Sequence, residues 1–169
     1  MSVLSEEDIR RLIKKAPPLV EGWIDLGEQV QPNGFDLTLR DVSIMLSAGQ
    51  VAASNKQRVV SELALREFDD DGFIVLAAGA YLITYNEIVH LPKNIMALGR
   101  PRSSLLRCGA DVGTAVWDAG YEGRSQSLLT VHNPQGFRVQ RNARIAQLVF
   151  LELTGNSKGY KGVYQGENI

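Results

Sequence analysis

This sequence has one cysteine, Cys108, and two histidines, His90 and His132. A single thiol cannot close an internal disulfide, so the fold must stand on its core. Nor can these three residues build the shell of one His and two Cys, or of three Cys, that holds zinc in the metal-dependent base deaminases. That class is excluded. Long apolar runs are also missing. The longest, Phe73 to Ile83 even with its glycine counted, is far short of the ~20 residues needed to span a bilayer. Neither sign of charge is in excess, with 18 Lys and Arg against 19 Asp and Glu and a net charge of -1. Without a global basic field, neither a nucleic acid nor a membrane is the expected partner, whereas a small anion held by local arginines stays open. The first residues, Met1 to Glu7, are acidic and lack the basic start and apolar centre of a signal peptide. A cytoplasmic protein is expected.

What is present is average in amount. The 169 residues are 44% hydrophobic and 22% charged, which fits one soluble domain and not a disordered chain. The first 18 residues read as an N-terminal helix. Ser5 is placed to cap it, Glu6, Glu7 and Asp8 fill its first turn, and Lys14 and Lys15 its last, in the order the helix dipole favours. Ile9, Leu12 and Ile13 make an apolar stripe, and Pro17-Pro18 ends it. Short apolar runs follow, at Phe35–Leu39, Val42–Leu46, Phe73–Ala78, Tyr81–Tyr85, Ile95–Leu98, Leu128–Val131 and Ile145–Leu153. Turn residues such as Pro32-Asn33-Gly34 and Asn133-Pro134-Gln135-Gly136 separate them. This spacing predicts a mainly β barrel or sandwich, with no second domain across 1–169. The Gly-rich, polar residues 158–169 read as a mobile C-terminal tail.

Five segments could carry chemistry. Arg100-Pro101-Arg102-Ser103-Ser104-Leu105-Leu106-Arg107 offers guanidinium and hydroxyl donors suited to phosphate, although a solvated basic turn looks the same. Trp117-Asp118-Ala119-Gly120-Tyr121 ends an apolar stretch on a carboxylate and an aromatic ring; it is either a base beside a sugar wall or an Asp-Gly turn. Gln31-Pro32-Asn33-Gly34-Phe35-Asp36 runs a turn into a strand carrying a carboxylate, which strand initiation alone would also explain. Arg144-Ile145-Ala146-Gln147 places a polar amide in an apolar strand, where a ligand or the backbone must satisfy it if it is buried. Finally, Tyr160, Lys161, Tyr164 and Gln165 among glycines suit a lid over a nucleotide or an ordinary frayed terminus.

Taken in order, Gln-Pro-Asn-Gly-Phe-Asp-Leu, Arg-Ser-Ser-Leu-Leu-Arg, Trp-Asp-Ala-Gly-Tyr-Glu-Gly-Arg, Ala-Arg-Ile-Ala-Gln-Leu and Tyr-Gln-Gly resemble the dUTPase and dCTP deaminase superfamily. The resemblance implies a distorted, jelly-roll-like β-barrel in a homotrimer, with sites at subunit interfaces, a deoxynucleoside triphosphate substrate and Mg2+. Within the family, deaminases carry a Glu on the strand after Gly-Arg that relays protons without a metal. Here Leu128 or Thr130 falls at that place, depending on the direction of counting, and the nearest carboxylate, Glu122, lies on the turn. The chain therefore looks like the archaeal dUTPases, which resemble deaminases but lack that Glu. Deamination of dCTP, or nucleotide binding without catalysis, is the alternative.

By this resemblance Asp118 would activate water for attack on the α-phosphorus of dUTP, and Tyr121 would pack on the deoxyribose and crowd out a 2'-hydroxyl. Arg102, Ser103, Ser104 and Arg107 would hold phosphates, with Gln147 adding a hydrogen bond. Asp36 would support the Mg2+ through water. Tyr160, Lys161, Tyr164 and Gln165 would close the tail, although it lacks the Gly-Ser-Thr-Gly signature of ordinary trimeric dUTPases.

Overall fold

A computed structural model describes residues 2–169. A short strand, β1 (Ser2–Val3), leads into helix α1 (Glu6–Ile13). The Ser5 side chain accepts from the Asp8 N–H, and the Asp8 carboxylate accepts from the Ser5 N–H, so both orphan donors at this end are satisfied. Ile9 and Ile13 are buried, and Lys14 caps the other end. The helix is one turn shorter than the stretch before the prolines allows. Next come β2 (Val20–Glu21), a single helical turn α2 (Leu26–Gln29), β3 (Val30–Gln31) and the long β4 (Gly34–Met45). The two runs expected at Phe35–Leu39 and Val42–Leu46 are thus one strand. Its ladder to a later strand slips between Leu39 and Asp41, which lets the intervening Arg40 turn outward.

Then follow β5 (Leu63–Arg66), β6 (Phe73–Leu76), β7 (Gly79–Tyr85), β8 (Ile88–His90) and β9 (Ile95–Pro101). A second helical turn, α3 (Ser103–Arg107), leads to β10 (Ala110–Gly113), β11 (Val116–Trp117), β12 (Glu122–Gly123), β13 (Gln126–Val131), β14 (Phe137–Gln140) and β15 (Arg144–Glu152). The large sheet has the order β10-β13-β7-β4-β15-β9-β11, with β1 on β15 and both β3 and β5 on β4. All its pairs are antiparallel. Two smaller antiparallel ribbons, β12-β8-β2 and β14-β6, complete the curled barrel. Strand β13 alternates: Ser127, Leu129 and Val131 face the core while Gln126, Leu128 and Thr130 face outward. By contrast, Gly34 to Leu39 on β4 are buried on both faces. Among the described residues no helix is long and apolar enough to cross a membrane.

Burial on both faces makes β4 the place where polar groups are costly, and a network meets that cost. Glu87, fully buried, accepts from the Thr38 N–H (2.9 Å), the Thr38 hydroxyl (2.6 Å) and the Gln29 amide (2.7 Å). The same Gln29 amide donates to the Asp36 carbonyl at 2.9 Å, and its oxygen accepts from the N–H groups of Ile24 and Asp25. Glu87 therefore fixes the backbone beside Asp36. Burial, the largest influence, raises the Glu87 pKa against the pull of these donors. A carboxyl whose folded pKa is raised contributes stability at acid pH that is lost as pH rises through the raised value. Glu87→Gln removes that slope. It also turns an amide N–H2 toward donors, at a cost of about 1–3 kcal/mol. Urea melts from acid to neutral pH should show the parent losing stability relative to this variant; parallel curves would contradict the account.

Candidate functional site

The residues singled out by sequence fall into two groups on this chain. The first is built around the turn after β11. Trp117 is buried and its indole N–H donates to Ser125 Oγ at 2.9 Å, which anchors the end of the strand. The chain then reverses: the Tyr121 N–H donates to the Asp118 carbonyl at 3.0 Å, with Gly120 at φ +85°. A side chain is disfavoured at that φ, and a Cβ there would lie 2.7 Å from Gly159 Cα. So the segment is a turn, as its composition suggests, and the turn delivers Asp118. The Asp118 side chain is exposed and, among the described residues, forms no hydrogen bond or ion pair.

Asp118 opens onto a cavity of about 770 Å³. Tyr121, Ser125, Gln126, Tyr160, Tyr164 and Glu167 line it with Asp118, and Met45, Val51, Val59, Val60, Leu63 and Leu82 form an apolar wall. Tyr121 is buried, and burial is the main reason its pKa is raised, so it stays a neutral phenol. Its ring meets that of Tyr160 edge-on, with centroids 5.7 Å apart. The tail lies along the same turn. The Tyr160 N–H donates to the Ala119 carbonyl (2.9 Å), and the Gln165 amide donates to the Gly120 carbonyl (3.2 Å) while its oxygen accepts from the Glu122 N–H. Tyr164 sits under the Arg58 guanidinium, and Lys161 is exposed.

The second group sits at the other end of β9. Asp36, almost fully buried on β4, faces Arg102 Nε at 3.0 Å and Arg144 Nη1 at 3.7 Å. Burial raises the Asp36 pKa, and the two arginines pull it back down. Gln147 pairs with Asp36 on one side and with Arg100 on the other, which puts it on the same face. It is half-buried, so the ligand or backbone partner a buried amide would demand is not required. Helix α3 begins at Ser103 with Arg102 as its N-cap, and no side chain caps it. Ser103 and Ser104 are exposed, and the Arg107 guanidinium donates back to the Ser103 carbonyl at 3.1 Å.

The two groups do not meet on one chain. Trp117 pairs with Ala97 at one end of β9, and Arg102 lies five residues further on. At about 3.4 Å per residue that is roughly 17 Å, with Asp118 beyond Trp117. The positions where a deaminating Glu would stand are both outward-facing on β13: Leu128, opposite Leu82, and Thr130, opposite Ala80. Glu122 is turned away from the Asp118 cavity, with its carboxylate 3.3 Å from His90 Nδ1. The residues missed by sequence reasoning are Arg144, Ser125 and Glu167. Arg144 had a signal, since it stands in the same motif as Gln147; the other two had none beyond being polar.

No cluster of three or more His, Cys, Asp or Glu that could cage an ion exists among the described residues. Mg2+, however, keeps several waters and binds through one or two carboxylates plus substrate phosphates. One carboxylate, Asp36, beside Arg102 and Arg144 fits an ion that arrives with a polyphosphate.

Known proteins are similar to this chain in sequence and in fold. Residues 3–153 match the family model described as dCTP deaminase-like. The chain is 50% identical over 169 residues to the "Probable deoxyuridine 5'-triphosphate nucleotidohydrolase" of Methanosarcina mazei, covering 99% of both chains. It is 52% identical to the protein of the same name from Archaeoglobus fulgidus, covering 100% of this chain and 99% of that one. Its backbone is similar to the crystal structure of 2'-deoxycytidine 5'-triphosphate deaminase from Agrobacterium tumefaciens, with a TM-score of 0.64 and 23% identity over 88% of this chain. The match spans 47% of that chain, about half its length, and establishes a shared fold.

Proposed function

The chain belongs to the dCTP deaminase-like family, and we propose that it is a dUTP pyrophosphatase that hydrolyses dUTP to dUMP and pyrophosphate. The observation that carries the choice between the two chemistries is the carboxylate inventory. Asp118 stands free at the cavity mouth, whereas Leu128 and Thr130 occupy the strand positions a deaminating Glu would need. Asp118 takes a proton from the water that attacks the α-phosphorus. Attack of this kind depends mostly on positioning and on neutralising charge. Arg102, Ser103, Ser104 and Arg107 hold the phosphates, and Gln147 adds a hydrogen bond. The Tyr121 ring packs on the deoxyribose. Asp36 would hold Mg2+ through water, and the ion would supply neutralisation of phosphate charge. Tyr160, Lys161, Tyr164 and Gln165 close the tail on the ligand. The enzyme works in the cytoplasm, without nucleic acid or membrane.

Asp118 and Tyr121 lie near one end of β9 and Arg102 beyond the other, roughly 17 Å along the strand, so a site joined from two subunits would bring base and phosphate contacts closer than one chain does. A homotrimer, in which the Arg102 end of one subunit meets the Asp118 turn of the next, joins them. Light scattering should give three times 18.6 kDa at assay concentrations, and a species of 18.6 kDa would refute this arrangement. The activity is tested by incubating the protein with dUTP and with dCTP, each with Mg2+. Pyrophosphate should appear from dUTP and no ammonia from dCTP. Stoichiometric ammonia from dCTP would overturn the reading.

A further inference from the structure

In the cavity wall, the Tyr121 hydroxyl donates to Glu167 Oε1 at 2.8 Å. The backbone brings Glu167 there. Glu167 bridges Gly123 in parallel register, its carbonyl accepts from the Arg124 N–H at 2.9 Å, and the Gly166 N–H donates to the Glu122 carbonyl at 2.8 Å. Arg124 and Asn168 close the clamp, Nε to the Asn168 carbonyl at 3.1 Å and Asn168 Nδ2 to the Arg124 carbonyl at 3.0 Å. Space has been left for the phenol: a Cβ on Gly123 would lie 2.6 Å from the Tyr121 hydroxyl. The Tyr160 edge meets the ring from another side. Each contact limits ring tilt, and of the groups within hydrogen-bonding reach of the Tyr121 hydroxyl, Ser125 and Glu167, only Glu167 is a carboxylate acceptor.

We propose that Glu167 is a positioning residue for sugar selection, holding the Tyr121 ring in the plane that leaves no room for a 2'-hydroxyl. This rests on the reading of Tyr121 as the wall against the deoxyribose. Rejection by crowding works only if the wall does not yield. A phenol freed from its acceptor can tilt, and the extra hydroxyl of a ribonucleotide is then accommodated. The tail would thus do more than cover the ligand: its penultimate turn sets the shape of the sugar pocket.

The test compares kcat/KM for dUTP and for UTP in the parent and in Glu167→Ala, Glu167→Gln, Tyr121→Phe and Tyr121→Ala. Glu167→Ala should lower the dUTP/UTP ratio about tenfold, the scale of one hydrogen bond to a charged group, chiefly by raising the UTP rate. Glu167→Gln keeps an acceptor and should restore most of the ratio. Tyr121→Phe removes only the hydroxyl and leaves the tail's backbone contacts. It should match Glu167→Ala, and the double variant should add nothing further. Glu167→Ala that slows both substrates equally would make Glu167 a docking residue only and overturn the proposal, as would a lowered ratio in Tyr121→Ala with none in Glu167→Ala or Tyr121→Phe. An unchanged ratio in Tyr121→Ala would instead remove Tyr121 as the sugar wall. A parent inactive on dUTP would remove the hydrolase reading itself.

Discussion

Asp118→Asn is expected to cut dUTP turnover by about 10²- to 10⁴-fold, the usual worth of a positioned general base. Asn preserves the shape of the side chain and cannot accept the proton. Among the described residues the exposed carboxylate forms no ion pair, so replacing it leaves no stranded partner and the turn should survive. The Tyr121 N–H still closes onto the residue 118 carbonyl, and Gly120 keeps its backbone. Affinity for a non-hydrolysable imido analogue of dUTP should therefore stay within roughly tenfold, the scale of one hydrogen bond to a charged group. Single-turnover kinetics beside equilibrium titration separate the two quantities. Turnover at the parent rate would reduce Asp118 to a turn residue and remove the centre of the proposed mechanism.

Arg102→Ala should fail differently, in stability and in binding together. Arg102 lies 3.0 Å from a carboxylate that is almost fully buried, and its loss leaves Asp36 with only the more distant Arg144 at 3.7 Å. Removing one partner of a buried pair costs about 3–5 kcal/mol. The low end applies, because the Arg102 side chain is 30% exposed and Arg144 stays in place. Burial already raises the Asp36 pKa, and without the attraction of Arg102 it must rise further. A raised carboxyl pKa means stability held at acid pH and lost as pH rises through it, so the deficit of the variant should widen from acid to neutral pH. Adding Asp36→Asn should recover part of it. Nucleotide affinity should fall about tenfold to a hundredfold as well, since a charge-assisted bond to phosphate is lost. Urea melts and titration with the imido analogue check the two effects. A variant that melts like the parent at neutral pH would show that Arg102 does not hold Asp36.

The two variants also bear on how the site is divided. Asp118 acts on chemistry from the turn after β11, and Arg102 acts on binding and folding from the far end of β9. If subunits complete each other's sites, mixed assemblies of the two variants should contain some intact sites.

Much of this molecule is legible from residues close together in the chain. The cap at Ser5 and the Asp-Gly turn at Asp118 rest on contacts within a few residues, and the strands near Phe73, Tyr81, Ile95 and Ile145 are marked by their own apolar runs. Short-range sterics and hydrogen bonding decide such features wherever the segment sits. The order of the motifs likewise identified the family, because it is a property of the sequence itself. The strands β5, β10 and β14 were not legible, because each is four residues that are not apolar throughout, unlike the equally short but wholly apolar β6.

Tertiary structure alone decided the rest. That β15 lies between β4 and β9 brings Asp36, Arg102 and Arg144 together from three distant stretches, and the same register parts Arg102 from Asp118. Nothing near Glu87 in the chain announces that it anchors the backbone of Asp36, and nothing near Tyr121 announces Glu167. The physical reason is that a strand's own residues set its period and its faces, but its partner is chosen by which long-range packing buries the most apolar surface without stranding a polar group. That choice belongs to the whole chain at once.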